Sequence, residues 1–124
     1  MVMYLAVALG GALGTVGRYF VSGVVANAFG ETFPWGTLII NITASFILGF
    51  FLVWTTERVL IDPRWRIFVA VGFCATYSTY SSYAFETFAL VENGQFWLAA
   101  MNFLLTNVVC FVAVVAGAVL ARSI

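Results

Sequence analysis

Long apolar runs alternate along the chain with short polar interruptions. Four apolar segments can be drawn, at about 2–26, 34–55, 67–91 and 96–121. Each is close to or above the roughly 20 residues that a helix needs to cross the hydrocarbon core of a bilayer. The interruptions are 27–33, 56–66 and a turn at Glu92-Asn93-Gly94, where Asn-Gly is a turn signal. Pro34 stands where the second helix begins, a position at which a missing amide hydrogen costs nothing. No link is long enough to hold a second domain. The pattern predicts an all-α membrane protein, a single domain over residues 1–124 with four transmembrane helices.

The third segment breaks its own pattern. Thr76 to Ser82 carries a hydroxyl or phenol at every position, and Glu86 follows one turn later. Bulk water is absent at that depth, so such a run belongs where protein buries it or where it lines a wet cavity. On an unbroken helix Thr79, Ser82, Tyr83 and Glu86 share one face, with Tyr80 and Phe73 pointing elsewhere. Neighbouring Ser and Thr side chains also compete with the helical ladder. Two outcomes follow: a break around Ala75 to Thr79, whose freed carbonyls could hold a cation, or an intact helix with hydroxyls bonded back one turn.

Composition supports the membrane assignment. Hydrophobic residues make up 64% of the chain and charged residues 8%, with no Lys and no His, too little charge for the surface of a small soluble domain. The first segment lacks the basic leading region of a cleaved signal peptide. A net charge of zero gives no reason to expect nucleic-acid binding. No phosphate-binding loop, HExxH or carboxylate pair is present, and without His the usual proton shuttle is missing, so no enzyme is expected. Cys74 and Cys110 lie in apolar sequence without metal-ligand spacing and read as reduced packing residues.

Charge placement predicts topology. Four crossings put both termini and the 56–66 link on one side, together with Arg58, Arg64, Arg66 and Arg122. The opposite links carry Glu31 and Glu92 and no basic residue, so the positive-inside rule favours cytoplasmic termini. Within the segments, Gly10 and Gly14 form a GxxxG that admits close helix approach. Arg18 is the one base and Glu86 the one acid expected at membrane depth. Each costs roughly 2.5–3.5 kcal/mol at the bilayer centre, which marks both as functional or anchoring charges. Asn41 adds an amide donor, and amide and hydroxyl donors suit a small, strongly hydrated anion. Aromatic ring edges, being electropositive, add weak anion contacts.

Three motifs together resemble the Fluc (CrcB) fluoride channel family. They are Gly10-Gly11-Ala12-Leu13-Gly14 with Arg18, Pro34-Trp35-Gly36-Thr37-Leu38 leading to Asn41, and Gly72 through Glu86. The likeness spans all four segments. It implies an antiparallel dimer of four-helix subunits in the cell inner membrane, with two fluoride pores. It also implies a structural Na⁺ held at a break in the third helix by the main-chain carbonyls of Ala75 and Ser78. By position, Asn41, Thr79 and Ser82 would belong to the polar pore track, and Tyr80 and Tyr83 to the aromatic box. Glu86 would be the family's acidic position and Arg18 its first-helix arginine. Fluoride would leave the cytoplasm passively.

The chain departs from that pattern at particular residues. The box residues are usually Phe, and the break usually carries Gly where Ala75-Thr76 stand here. In the fourth helix Cys110 and Val114 replace small polar residues, although Thr106 and Asn107 are polar. The Arg asymmetry raises a further expectation, since antiparallel copies of one chain must insert both ways. The partner is then either a second copy or a related subunit of opposite orientation, which leaves room for a non-conducting member of a heterodimer. A small proton-coupled multidrug exporter is the other rival, but it needs a carboxylate that the first helix lacks.

Overall fold

The computed structural model describes residues 1–124, and its regular structure is entirely helical. Helix α1 is Val2–Phe29, α2 is Trp35–Glu57, α4 is Tyr80–Glu92 and α5 is Phe96–Ser123. Between α2 and α4 lies α3, residues 63–77, built from Pro63–Arg66, a wider-wound stretch Ile67–Cys74 with π-type bonding, and a last turn Ala75–Tyr77. Helices α1, α2 and α5 are each long and apolar enough to cross a membrane. The third apolar segment is split into α3 and α4, so neither half reaches that length alone. The 13 residues of α4 rise only about 20 Å.

Three helices continue two or three residues past their apolar segments, to Phe29, Glu57 and Ser123. Hydropathy marks the edge of the hydrocarbon, whereas the backbone ladder carries on into the headgroup region. Asp62 accepts from the Arg64 amide at 2.8 Å and Pro63 occupies the first turn, which together start α3.

Close backbone contact between small residues joins the helices, as expected where lipid gives no hydrophobic drive for helix pairing. A Cβ on Gly10 would meet the Phe68 carbonyl oxygen and lie 3.0 Å from the Gly72 Cα, so α1 and α3 touch backbone to backbone. A Cβ on Gly14 would meet Thr76 Oγ1 and the Phe73 carbonyl. Helices α2 and α5 interlock likewise: Gly49 abuts the Val114 carbonyl, and a Cβ on Gly117 would fall 2.7 Å from the Phe50 amide nitrogen. Ile40, Ala44 and Tyr77 form the packed centre, flanked by Val21 and Phe73. The Phe73 and Tyr77 rings stack at 5.4 Å. The Tyr77 hydroxyl lies 3.0 Å from Thr43 Oγ1, whose own hydrogen is drawn to the Ile39 carbonyl 2.9 Å away.

Four of the five arginines gather at one end. Arg122 pairs with Glu57 at 2.8 Å across the ends of α5 and α2, Arg58 donates to the Arg122 carbonyl, and Arg66 reaches Thr56 at 3.1 Å. Arg64 pairs with Asp62 at 2.7 Å on the same link. The Arg122 guanidinium hydrogen-bonded to Glu57 holds that carboxyl below the usual carboxylate range, and Arg64 does the same to Asp62. Glu31 lies with Asn93 and Gln95 around a cavity bordered by the links 30–34 and 93–95.

Candidate functional site

The break between α3 and α4 consists of Ser78 and Thr79, both extended: φ −70° and ψ 157° at Ser78, φ −151° and ψ 112° at Thr79. Both φ values are negative, and no residue other than glycine has a positive one anywhere in the chain. The break therefore asks nothing of glycine. It falls at the far end of the expected 75–79 window, and Ala75 and Thr76 remain helical. Thr76 instead glues α3 to α1, its hydroxyl 2.8 Å from the Gly72 carbonyl and 3.1 Å from that of Gly11. The expected alternatives coexist, since Ser78 also bonds back to the Cys74 carbonyl at 2.9 Å.

Side chains replace the helical partners that the break removes. In a continuous helix the Thr79 amide would bond the Ala75 carbonyl, and the Ser82 amide that of Ser78. Here the Thr79 amide donates to Asn41 Oδ1 at 2.8 Å, and the Ser82 amide to Thr79 Oγ1 at 3.2 Å, which makes Thr79 the N-cap of α4. Asn41 Nδ2 also donates to the Thr79 carbonyl at 3.2 Å. The carbonyls of Ala75 and Ser78 lose their helical donors in this way. They are the two that the family resemblance assigns to Na⁺, a hard cation that favours oxygen ligands. No grouping of His, Cys, Asp and Glu offers an alternative metal site. These carbonyls therefore suit the ion chemically.

Two cavities flank the break. One, of about 250 Å³, is lined by Asn41, Thr79, Tyr80, Tyr83, Thr106 and Asn107, with Ser45, Ser78 and Cys110 completing it. The other, of about 320 Å³, lies between α1, α2 and α4 and is lined by Arg18, Thr37, Thr79, Ser82 and Glu86 among others. The expected common face for Thr79, Ser82, Tyr83 and Glu86 is thus divided. Ser82 and Glu86 turn toward α1, while Tyr83 turns toward α5 and joins Tyr80. Successive helical residues are about 100° apart, and tertiary packing decides which neighbour each faces. The Tyr80 and Tyr83 rings meet edge to face at 5.4 Å. Tyr80 is exposed on the outside of the protomer and Tyr83 is buried.

Glu86 accepts from Thr37 Oγ1 at 2.8 Å, and its other carboxylate oxygen is buried without a hydrogen-bond partner. Arg18 shares the larger cavity with Glu86, while the chain's two ion pairs are made elsewhere. Asn102, Thr87 and Thr37 did not stand out by sequence spacing as site residues. Asn102 is almost fully buried and donates to Thr87 Oγ1 at 2.8 Å, and Thr87 bonds back to the Tyr83 carbonyl at 2.7 Å, tying α5 to α4 beneath the tyrosines. Asn102, one of two asparagines in an otherwise largely apolar helix, was the available signal. Both cysteines are free; Cys74 is buried, while Cys110 is only partly so and borders the smaller cavity.

Apolar crossing helices, one of them split around polar cavities at mid-length, define a multi-pass membrane protein. The chain belongs to the CrcB family: the family model described as CrcB-like protein, Camphor Resistance (CrcB), matches residues 5–118. It is 52% identical to the fluoride-specific ion channel FluC of Koribacter versatilis over 98% of this chain and 96% of that protein. It is 44% identical to the protein of that name from Sulfurihydrogenibium over the full length of both. The Rhodospirillum rubrum protein so named is 47% identical over 92% of this chain and 90% of its own. These relatives are named as ion channels and not as enzymes, in line with the motifs missing from the sequence.

Proposed function

We propose that the protein is a fluoride-selective channel of the inner membrane that lets fluoride leave the cytoplasm down its electrochemical gradient. The carrying observation is the polar cavity beside the break, lined by Asn41, Thr79, Tyr80 and Tyr83, in a chain whose relatives are named fluoride-specific channels. Selectivity comes from donors placed close enough to replace the ion's water, in a bore too narrow for larger halides. Asn41, Thr79, Tyr80 and Tyr83 line the path on the α5 side of the break, and Ser82 and Glu86 line it on the α1 side, where Arg18 is a fixed positive charge. No proton-coupling residue is required for downhill flow.

The working form is an antiparallel dimer with two pores. A polar cavity open on the outer side of one protomer would otherwise face lipid. A Na⁺ bound at the break would supply fixed positive charge. The Ala75 and Ser78 carbonyls would hold it, since the Thr79 and Ser82 amides bond to Asn41 and to the Thr79 side chain instead.

Purified protein in liposomes tests this reading. Fluoride release with chloride retained is expected; retention of both by an intact dimer overturns it. A second reading concerns the partner. Arg58, Arg66 and Arg122 bond to groups at one end of the bundle, and that asymmetry favours one fixed orientation and a related subunit of opposite orientation. Mapping the terminus from both sides of the membrane decides it: a mixed population means a dual-topology homodimer.

A further inference from the structure

In the smaller cavity Asn41 keeps one amide hydrogen and the exposed Tyr80 has its hydroxyl unpaired, and the remaining hydroxyls sort by where their hydrogens go. Ser45 spends its hydroxyl hydrogen on the Asn41 carbonyl at 2.6 Å, Ser78 on Cys74 at 2.9 Å and Thr79 on Ser82 Oγ at 3.0 Å. Thr106 lies 3.4 Å from Asn102 Oδ1 and points back along its own helix. These hydroxyls present oxygen lone pairs to the cavity, which an anion avoids.

Tyr83 differs because of Asn107. The same side-chain atom of Asn107 lies 2.7 Å from the Phe103 carbonyl oxygen and 3.2 Å from the Tyr83 phenol oxygen. A carbonyl oxygen only accepts, so that atom is the amide nitrogen, and a flipped amide is excluded. One of its hydrogens goes to Phe103 and the other to Tyr83. The phenol oxygen is therefore an acceptor toward Asn107, and its own hydrogen is left without a protein partner at the edge of the cavity.

We infer that the Tyr83 phenol is a hydrogen-bond donor to the permeating anion, aimed by Asn107 as a positioning residue. The inference rests on the fluoride-channel reading and adds to it a specificity determinant that a phenylalanine cannot supply. A phenol hydrogen approaches fluoride directly, whereas a ring edge offers only a weak electrostatic contact. Larger halides hold the same donor less tightly, so the phenol favours fluoride in selectivity as well as in rate.

Liposome flux of Tyr83→Phe, Asn107→Leu and the double variant tests this, with each variant first checked for an unaltered elution profile. Tyr83→Phe keeps the ring and is expected to pass fluoride about three- to tenfold more slowly, the scale of one lost hydrogen bond, with fluoride-over-chloride selectivity reduced. Asn107→Leu alone is expected to reproduce most of that loss, and in the Tyr83→Phe background to add none. A merely structural Asn107 would instead lower flux further in that background, overturning its positioning role. Wild type that conducts with Tyr83→Phe equally fast and selective overturns the inference alone. Wild type that retains fluoride overturns the channel reading and this inference with it.

Discussion

Asn41 grips Thr79 by both of that residue's main-chain polar groups, accepting from its amide at 2.8 Å and donating to its carbonyl at 3.2 Å. The side chain of α2 thus supplies what a continuous helix would have supplied, and only one amide hydrogen remains for any other partner. Asn41→Leu is expected to leave both Thr79 groups unpaired, at about 1–3 kcal/mol each. Asn41→Asp keeps the acceptor but sets a carboxylate oxygen against the Thr79 carbonyl. Both variants should unfold at lower temperature in detergent and lose fluoride flux. Unchanged melting would mean that the grip does not stabilise the break.

Neighbouring glycines in α1 should respond oppositely to the same change. A Cβ at Gly10 runs into the Phe68 carbonyl, while one at Gly11 lies 3.5 Å from Thr76 Cγ2, an ordinary contact. Gly10→Ala is expected to cost about 1–3 kcal/mol through overpacking. Gly11→Ala should be neutral or stabilising by up to about 1 kcal/mol, from its better helix propensity. Thermal melts of the two purified variants make the comparison.

Thr76, where the family resemblance leads one to expect glycine, is a helix-to-helix tie. Thr76→Val removes the hydroxyl while keeping the shape, and is expected to cost about 1 kcal/mol. Thr76→Ser should retain most of the stability. Equal melting of Val and wild type would remove the tie.

If the Ala75 and Ser78 carbonyls hold Na⁺, adding Na⁺ should raise the melting temperature of the dimer with increasing concentration, because a ligand bound only to the folded state stabilises it by mass action. Exchange for a bulky organic cation should abolish the rise. Ser78→Ala should keep it, since the ligand is main chain. An identical melt in both media would count against the site.

The Glu57–Arg122 pair sets an acid limit. Its carboxyl is held below its ordinary value, first by the hydrogen bond from Arg122, so the folded state releases that proton more readily than the unfolded chain. The pair's stabilisation is therefore complete above the ordinary glutamate range, about pH 4–5, and fades as pH falls through the lower folded value. Asp62, held down by Arg64, behaves alike. Melting temperature should be flat near neutrality and decline in acid, with a shallower decline in Glu57→Gln.

Residue order alone was enough for an all-helical chain with long apolar helices and for the polar interruption of the third segment. Those follow from the cost of placing water-seeking groups in hydrocarbon, which each residue carries with it wherever it packs. The family could also be read there, because Gly10 to Arg18, Thr37 to Asn41 and Gly72 to Glu86 keep their spacing in the chain. Tertiary structure decided the rest. The break settles on Ser78-Thr79 because Asn41, nearly forty positions earlier, meets the Thr79 main chain. The hydroxyl-rich run divides between two cavities because α1 and α5 approach it from different sides. That the Tyr83 phenol keeps its hydrogen free depends on an amide one helix away, held by a carbonyl of its own turn. Hydrogen-bond partners are chosen by proximity in space, and a sequence determines which groups need a partner before it shows which will meet.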